Sequence, residues 1–333
     1  MDVPQYDLIA DIGGTNARFA LTDPREARPA LLQQQSLRCA EFGSLQHAAE
    51  HYLAAVGARP TRAALAVACP VTGDAVRLTN RAWSFSRSEL ATALGLDTLH
   101  VLNDFGAVAW AVPALAGDER DTLHGDAAAA LHGPVSVLGP GTGLGVAQLV
   151  GDPRRGWHVV ETEGGHVSFA PHGEEEQHIA RWLTARFGRT SNERLLSGAG
   201  LSHIDAALAA GEDSPTLADL DAPLRDPAHI VEAALAGHDV VARRALARFC
   251  AVLGSVAGDA ALIHGARAVM IAGGIVPRFI PFLRTSAFRE RFLAKGRFAA
   301  LLESVAVHVV THPQPGLLGA AMALRAHTEE TAP

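Results

Sequence analysis

Six short segments of this chain combine carboxylates, hydroxyls, imidazoles and glycines in patterns that can do chemistry. In Asp11-Ile12-Gly13-Gly14-Thr15-Asn16 a carboxylate closes an apolar run, and two glycines and a hydroxyl follow. Without a Cβ, glycine lets backbone N–H groups approach an anion closely and form a nest. Asp11 suits Mg2+, which takes oxygen ligands and keeps several of its waters. The same residues also make an ordinary hairpin turn. A second loop, Gly139-Pro140-Gly141-Thr142-Gly143-Leu144-Gly145, holds four glycines in seven residues. Its spacing is not that of a dinucleotide loop, and the residues after it, LGVAQLV, read as a strand rather than a helix. It is a plain glycine-rich hairpin or, paired with the first loop, half of a phosphate cradle. In Ala272-Gly273-Gly274-Ile275-Val276-Pro277, small residues end a buried strand. They leave room for a flat ligand or make a simple strand–helix turn.

The other three segments offer proton transfer and hydroxyl recognition. Asp104, in Asn103-Asp104-Phe105, comes directly off an apolar strand and stands where a general base can act, or where Asn-Asp caps a helix. Glu163-Gly164-Gly165-His166 aims two polar side chains at one place, which suits a hydroxyl-rich ligand; as a metal site it lacks a third close ligand. Thr190-Ser191-Asn192-Glu193 reads locally as a capping box before Arg-Leu-Leu. Glu174, Glu175 and Glu176 read as a helix first turn facing the dipole.

The elements that must position these residues follow from periodicity and punctuation. Strands are expected at 6–12, 17–22, 32–38, 62–68, 75–78 and 99–102, with helices at 45–56, from the capping box Ser86-x-x-Glu89 to about 94, and after Asp104. A softer stretch, 113–133, marks a domain boundary. Beyond it, strands are expected at 135–138, 146–150, 157–161, 268–271 and 305–310. Helices are expected at 174–187, 201–210, 228–236, 240–263 and from Pro315 to about Arg325. A strand, a glycine turn and a second strand occur at 6–22 and again at 135–150, which suggests two related α/β halves.

Composition narrows the class. With 48% apolar and 19% charged residues the chain has ample material for a core and is not disordered. A formal net charge of −7 opposes binding to nucleic acid or anionic membranes. No apolar run approaches the ~20 residues that span a bilayer, and the acidic N-terminus does not read as a signal peptide. Three scattered cysteines, Cys39, Cys69 and Cys250, form no disulfide framework or zinc motif, so the cytoplasm is expected. The only lysine, Lys295, lies in AKGRF, so neither a P-loop nor a protein-kinase lysine can be built. Any phosphate site must use backbone N–H groups, arginine or a metal ion.

The ordered set DIGGTNAR, ACPVTGD, LNDFGAVAWAVP, GPGTGLG, EGGHVSFAP, ERLLSGAGL, IAGGIVPRF and PGLLGAAMAL resembles the bacterial ATP-dependent glucokinases, from about Asp7 to Arg325. The resemblance implies an α/β fold of two ribonuclease-H-like (actin-like ATPase) domains with a cleft between them. It places 1–114 plus 310–333 in a small domain and 115–309 in a large one. It implies that Ala10, Asp11, Ile12, Gly13, Gly14, Thr15 and Asn16 form the first phosphate loop, with Asp11 toward the metal. Gly139, Gly141, Thr142 and Gly143 belong to the second loop, and Ala272, Gly273 and Gly274 to the adenosine segment. Asn103, Asp104, Glu163, His166 and Glu193 match the glucose-binding set, and Asp104 the catalytic base. ATP, Mg2+, glucose and a homodimer are implied with them. Unlike the ROK sugar kinases, no cysteine follows His166 until Cys250, so no structural zinc is expected. The rival readings are a kinase for another hexose, a sugar-sensing regulator that has lost catalysis, and an actin-like chaperone or filament ATPase.

Overall fold

The computed structural model describes residues 5–331, except 70, 79–82, 212–215, 217–218 and 221. Pro70 of the second motif therefore lies outside the described residues. The chain divides into two compact units. The first holds 1–119, 149–161 and 312–333; the second holds 120–148 and 162–311.

The first unit is built on a five-stranded sheet of order β3-β2-β1-β4-β7. Its strands are β1 (Asp7–Ile12), β2 (Asn16–Thr22), β3 (Leu32–Arg38), β4 (Arg62–Val67) and β7 (Thr98–Asn103). A small hairpin, β5 (Ala75–Arg77) with β6 (Ser84–Ser86), interrupts the run. Successive side chains of a strand point to opposite faces, so both faces of β1 must be covered. Leu8, Ala10 and Ile12 belong to one apolar cluster with Leu45, Ala48, Ala49 and Tyr52 of α1 (Leu45–Val56). Ile9 belongs to another, with Ala107 of α3 (Asp104–Ala111) and Leu317, Ala320 and Leu324 of α11 (Pro315–Thr331). α3 and α11 approach backbone to backbone: a Cβ on Gly319 would overlap the Ala107 carbonyl oxygen and stand 2.9 Å from the Ala111 nitrogen. α1 starts where the Ser44 side chain accepts from His47 N–H, and α2 (Arg87–Leu94) where Ser86 accepts from Glu89 N–H.

The second sheet has the order β11-β10-β9-β12-β13-β8. It comprises β8 (Arg120–His124), β9 (Val135–Pro140), β10 (Leu144–Asp152), β11 (Gly156–Thr162), β12 (Ala268–Ile271) and β13 (Ala306–Val310). Without β8, its order repeats that of the first sheet when each series is counted from its own start: third, second, first, fourth, fifth. Its apolar cluster joins Leu138, Val269 and Val307 to α4 (Gly173–Phe187), α5 (Gly198–Ala210), α6 (Pro227–Ala236) and α7 (Val240–His264).

Several expectations need correction. α7 is by length and composition long and apolar enough to cross a membrane, although Arg243, Arg244, Arg248 and Asp259 keep each uninterrupted apolar run in it short. Its most apolar window is 67% buried inside the protein, which is the behaviour of a core helix. β8 falls in the stretch read as a boundary; its half-buried RDTLH becomes a strand by pairing with β13, 180 residues and more away in sequence, which no local pattern announces. A helical turn at Val276–Phe279 leads into α8 (Ile280–Thr285), as the helix start expected at Pro277 implies, whereas α9 (Phe288–Leu293) and α10 (Ala299–Glu303) were not anticipated, and α11 runs past Arg325 to Thr331. Glu176 stands in the helix first turn where it is expected, and there it is fully buried. Its carboxylate accepts from His172 N–H at 2.7 Å, Arg248 at 2.9 Å and Arg291 at 2.6 Å. Burial alone would raise its pKa, but these donors and charges hold it below the ordinary glutamate value.

Candidate active site

In the first unit the register brings two of the segments to one edge. β4 runs parallel to both β1 and β7, and its last residue, Val67, pairs with Ile12 on one side and Asn103 on the other. The Gly13–Thr15 turn and the start of α3 therefore leave the sheet at the same carboxyl edge, two strand spacings or about 10 Å apart. Ligands of open α/β sheets bind at such edges. The turn closes by Gly13 N–H donating to Asn16 O at 3.0 Å, and Thr15 O accepts from Cys39 N–H at 3.0 Å. Asp11, opposite Arg18 on β2, accepts from its guanidinium at 3.1 Å. Burial raises the Asp11 pKa and Arg18 opposes the rise. The N-terminus of α11 lies against the same carboxylate: a Cβ on Gly316 would meet Asp11 Cγ at 3.1 Å.

Asn103 is the helix cap that its sequence suggests. Its Oδ1 accepts from Phe105 N–H at 2.9 Å and Gly106 N–H at 3.2 Å, and its Nδ2 donates to Cys69 O at 3.4 Å. That network fixes the first turn of α3, whose first residue is Asp104. Asp104 Oδ1 accepts from Phe105 N–H at 2.8 Å. Burial lifts the Asp104 pKa to about 6; the Phe105 N–H opposes the rise, and the negative charges of Asp11 and Glu161 add to it. A carboxylate poised near neutrality beside a phosphate-type turn fits a general base.

The second unit gathers the other candidates. β12 lies parallel to β9, with Ile271 paired to Leu138, so the 139–143 loop and Ala272-Gly273-Gly274 leave one edge together. Ala272 N–H donates to Leu138 O at 2.7 Å. Gly273 has φ +94°, and a Cβ there would overlap the Pro140 carbonyl oxygen, so only glycine fits. The loop closes by Gly141 N–H to Gly143 O at 2.8 Å, and Gly198 N–H, at the start of α5, donates to Gly141 O at 2.9 Å. Glu163, His166 and Glu193 come together: His166 Nε2 lies 3.9 Å from Glu163 and its Nδ1 3.8 Å from Glu193. The capping-box reading of Thr190–Glu193 is overturned. Ser191, not Thr190, precedes the short turn Asn192–Arg194, with no side-chain cap, and Thr190 Oγ1 donates to Ala180 O. Glu193 instead accepts from Leu144 N–H at 2.9 Å, so it ties the glycine loop to the carboxylate–imidazole cluster.

Three residues escaped the sequence reading. Arg18 sits in the quoted DIGGTNAR, and a carboxylate seven residues before it in a tight hairpin was its available signal. Arg189 donates to His166 O at 2.7 Å and steadies that loop, with no local cue. Glu161 accepts from Asn103 N–H at 3.1 Å across a separation of 58 residues. Among the described residues no three His, Cys, Asp or Glu side chains group as a metal site.

The chain is similar to known proteins along nearly its whole length. The family model named Glucokinase matches residues 8–327. A glucokinase of Tolumonas auensis is 43% identical over 319 residues, covering 96% of each chain. A glucokinase of Yersinia pestis is 44% identical over 323 residues, again 96% of each. The crystal structure of a glucokinase from an Antarctic psychrotroph, 38% identical, superposes with a TM-score of 0.84 over 97% of this chain and 99% of that one.

Proposed function

The chain belongs to the glucokinase family, and on that premise we propose how its residues carry the reaction. The reaction transfers the γ-phosphate of ATP to the C6 hydroxyl of glucose, giving glucose 6-phosphate and ADP. In our reading the chain is two ribonuclease-H-like halves, 1–114 plus 310–333 and 115–309, with glucose and ATP in a cleft between them. Asn103, Glu163, His166 and Glu193 bind the sugar hydroxyls. Asp104 accepts the C6 proton as that oxygen attacks the phosphorus in line. The backbone N–H groups of 13–15 and 139–143 cradle the phosphates, while Ala272, Gly273 and Gly274 leave room for the adenosine.

Phosphoryl transfer asks mainly for positioning and charge neutralisation. No lysine is available for it, since Lys295 is engaged with Ser255 O at 2.9 Å and with Asp259. Asp11 is the residue that would hold Mg2+. A single partly buried carboxylate beside a glycine turn fits an ion that takes one or two carboxylates, phosphate oxygens and water. When bound, Mg2+ supplies positive charge to the phosphate oxygens. Arg18, paired with Asp11, adds a second positive charge at that edge. Closure of the halves would exclude water as a competing acceptor. We assign the protein to the cytoplasm on its three scattered cysteines, and to a homodimer on the resemblance.

The observation that carries the base assignment is Asp104 at the capped start of α3, with its pKa lifted to about 6, on the sheet edge that also bears the Asp11 turn. The test is ADP release with Mg-ATP in the presence of glucose, mannose, fructose, N-acetylglucosamine and glycerol, for the native protein and Asp104→Asn. Glucose-dependent turnover that Asp104→Asn abolishes supports the reading. Turnover with another sugar only would change the substrate; full activity in Asp104→Asn would remove the base.

A further inference from the structure

We infer that Glu161 is a positioning residue for the base: it completes, from a different strand, the helix cap that holds Asp104. The inference rests on the reading of Asp104 as the base.

A helix start leaves N–H groups without partners inside the helix. The usual complete solution is reciprocal: the N-cap side chain accepts from the helix backbone, and a Glu or Gln at the third helical position reaches back to the N-cap N–H. α3 has the first half of this device, because Asn103 Oδ1 accepts from Phe105 and Gly106 N–H. It cannot have the second half from its own sequence, because its third helical residue is Gly106. Glu161, at the end of β11, stands in that place. Its Oε1 accepts from the N-cap N–H of Asn103 at 3.1 Å. Its side chain fills the space that a residue at 106 would use: a Cβ on Gly106 would overlap Glu161 Oε1 and stand 2.9 Å from both Cδ and Cγ. The absent side chain of Gly106 and the carboxylate of Glu161 are therefore complementary. Asp104 lies between Asn103, whose N–H donates to Glu161, and Gly106, whose missing side chain leaves room for Glu161, so the clamp sets the direction in which the carboxylate of Asp104 leaves the helix.

A local capping box would tie α3 only to itself. A cap supplied from β11 ties the start of α3 to a distant strand segment of the same unit. The expected consequence is loss of turnover rather than loss of substrate binding.

The test is steady-state kinetics of Glu161→Ala, Glu161→Gln and Glu161→Asp, with melting temperatures, in the native and Asp104→Asn backgrounds. Glu161→Ala should lower kcat by roughly ten- to a hundredfold, the scale of a sub-ångström to one-ångström misplacement of a reacting group, while KM for glucose and ATP stays within about threefold. Glu161→Gln keeps an acceptor for Asn103 N–H and should recover kcat to within about threefold of native. Glu161→Asp, one methylene short of that N–H, should not recover; it carries the test if the alanine variant does not fold. In the Asp104→Asn background the further loss from Glu161→Ala should vanish, since there is no base left to position. Native kcat in Glu161→Ala, or the same fold-loss in both backgrounds, would overturn the inference. Native activity in Asp104→Asn itself would overturn the base reading beneath it, an outcome separate from the other two.

Discussion

The rate of this enzyme should fall in mild acid, at a pH where an ordinary aspartate would still be ionised. The perturbation is protonation of Asp104. Burial at the start of α3, with Asp11 and Glu161 nearby, lifts its pKa from 3.8 to about 6. A base works only when ionised, so activity is present above that value and lost as the pH falls through it. At pH 7 about nine-tenths of the protein carries the ionised base, and at pH 5 about one-tenth. An unshifted aspartate would still be about nine-tenths ionised at pH 5, so the contrast is nearly tenfold at a single pH. The assay is glucose 6-phosphate formation between pH 4.5 and 8, sampled over short times and quenched, with recovery on return to pH 7.5 as a check on folding. The kcat/KM profile should show one acid limb near 6 with unit slope. Asp104→Asn should lose on the order of 10²–10⁴ in kcat and lose that limb. A profile flat to pH 4.5, or an asparagine variant within a few-fold of native, would refute the reasoning.

Three other perturbations follow. Gly319→Ala forces a methyl into the Ala107 carbonyl where α11 crosses α3, so urea unfolding should show a loss of about 1–3 kcal/mol. Because the displaced helix begins with Asp104, kcat should fall as well. Glu176→Ala leaves Arg291 buried without its partner and should cost about 3–5 kcal/mol. The pKa of Glu176 is lowered on folding, so its contribution is complete above the ordinary value of 4.5 and disappears as the pH falls below it. Unfolding curves at pH 7 and pH 4 would show the difference between native and variant shrink. Asp11→Asn should raise the Mg2+ concentration needed for half-maximal rate while glucose KM changes little; an unchanged Mg2+ titration would remove Asp11 from that role.

Local order in this chain follows local cues. The strands on either side of Gly13-Gly14, the helical spacing of α1, the α2 cap at Ser86, and the Asn103 cap were all legible, because periodicity and capping act over a few residues. The two glycine loops were visible because a double glycine after an apolar run, and four glycines in seven residues at 139–145, have no reason to stand inside a strand or helix. The long helix at 240–264 was legible too, although not that its apolar length belongs to a core.

Tertiary structure decided what lies between distant residues. β8 exists because β13 supplies its hydrogen bonds, and an isolated RDTLH has too little apolar surface to declare itself. Thr190-x-x-Glu193 carries the letters of a capping box, yet the Leu144 N–H drew the glutamate to the glycine loop, a partner 49 residues away. Glu176 is in the helix first turn that its sequence suggests, but only the fold brings Arg248 and Arg291 from other helices to neutralise it inside the protein. The cap of α3 is divided between the two regimes: Asn103 could be read from its neighbours, whereas Glu161 could not. A sequence records which residues can bond, and local geometry chooses among neighbours. Only the folded sheet registers decide which carboxylate finally meets an N–H far along the chain.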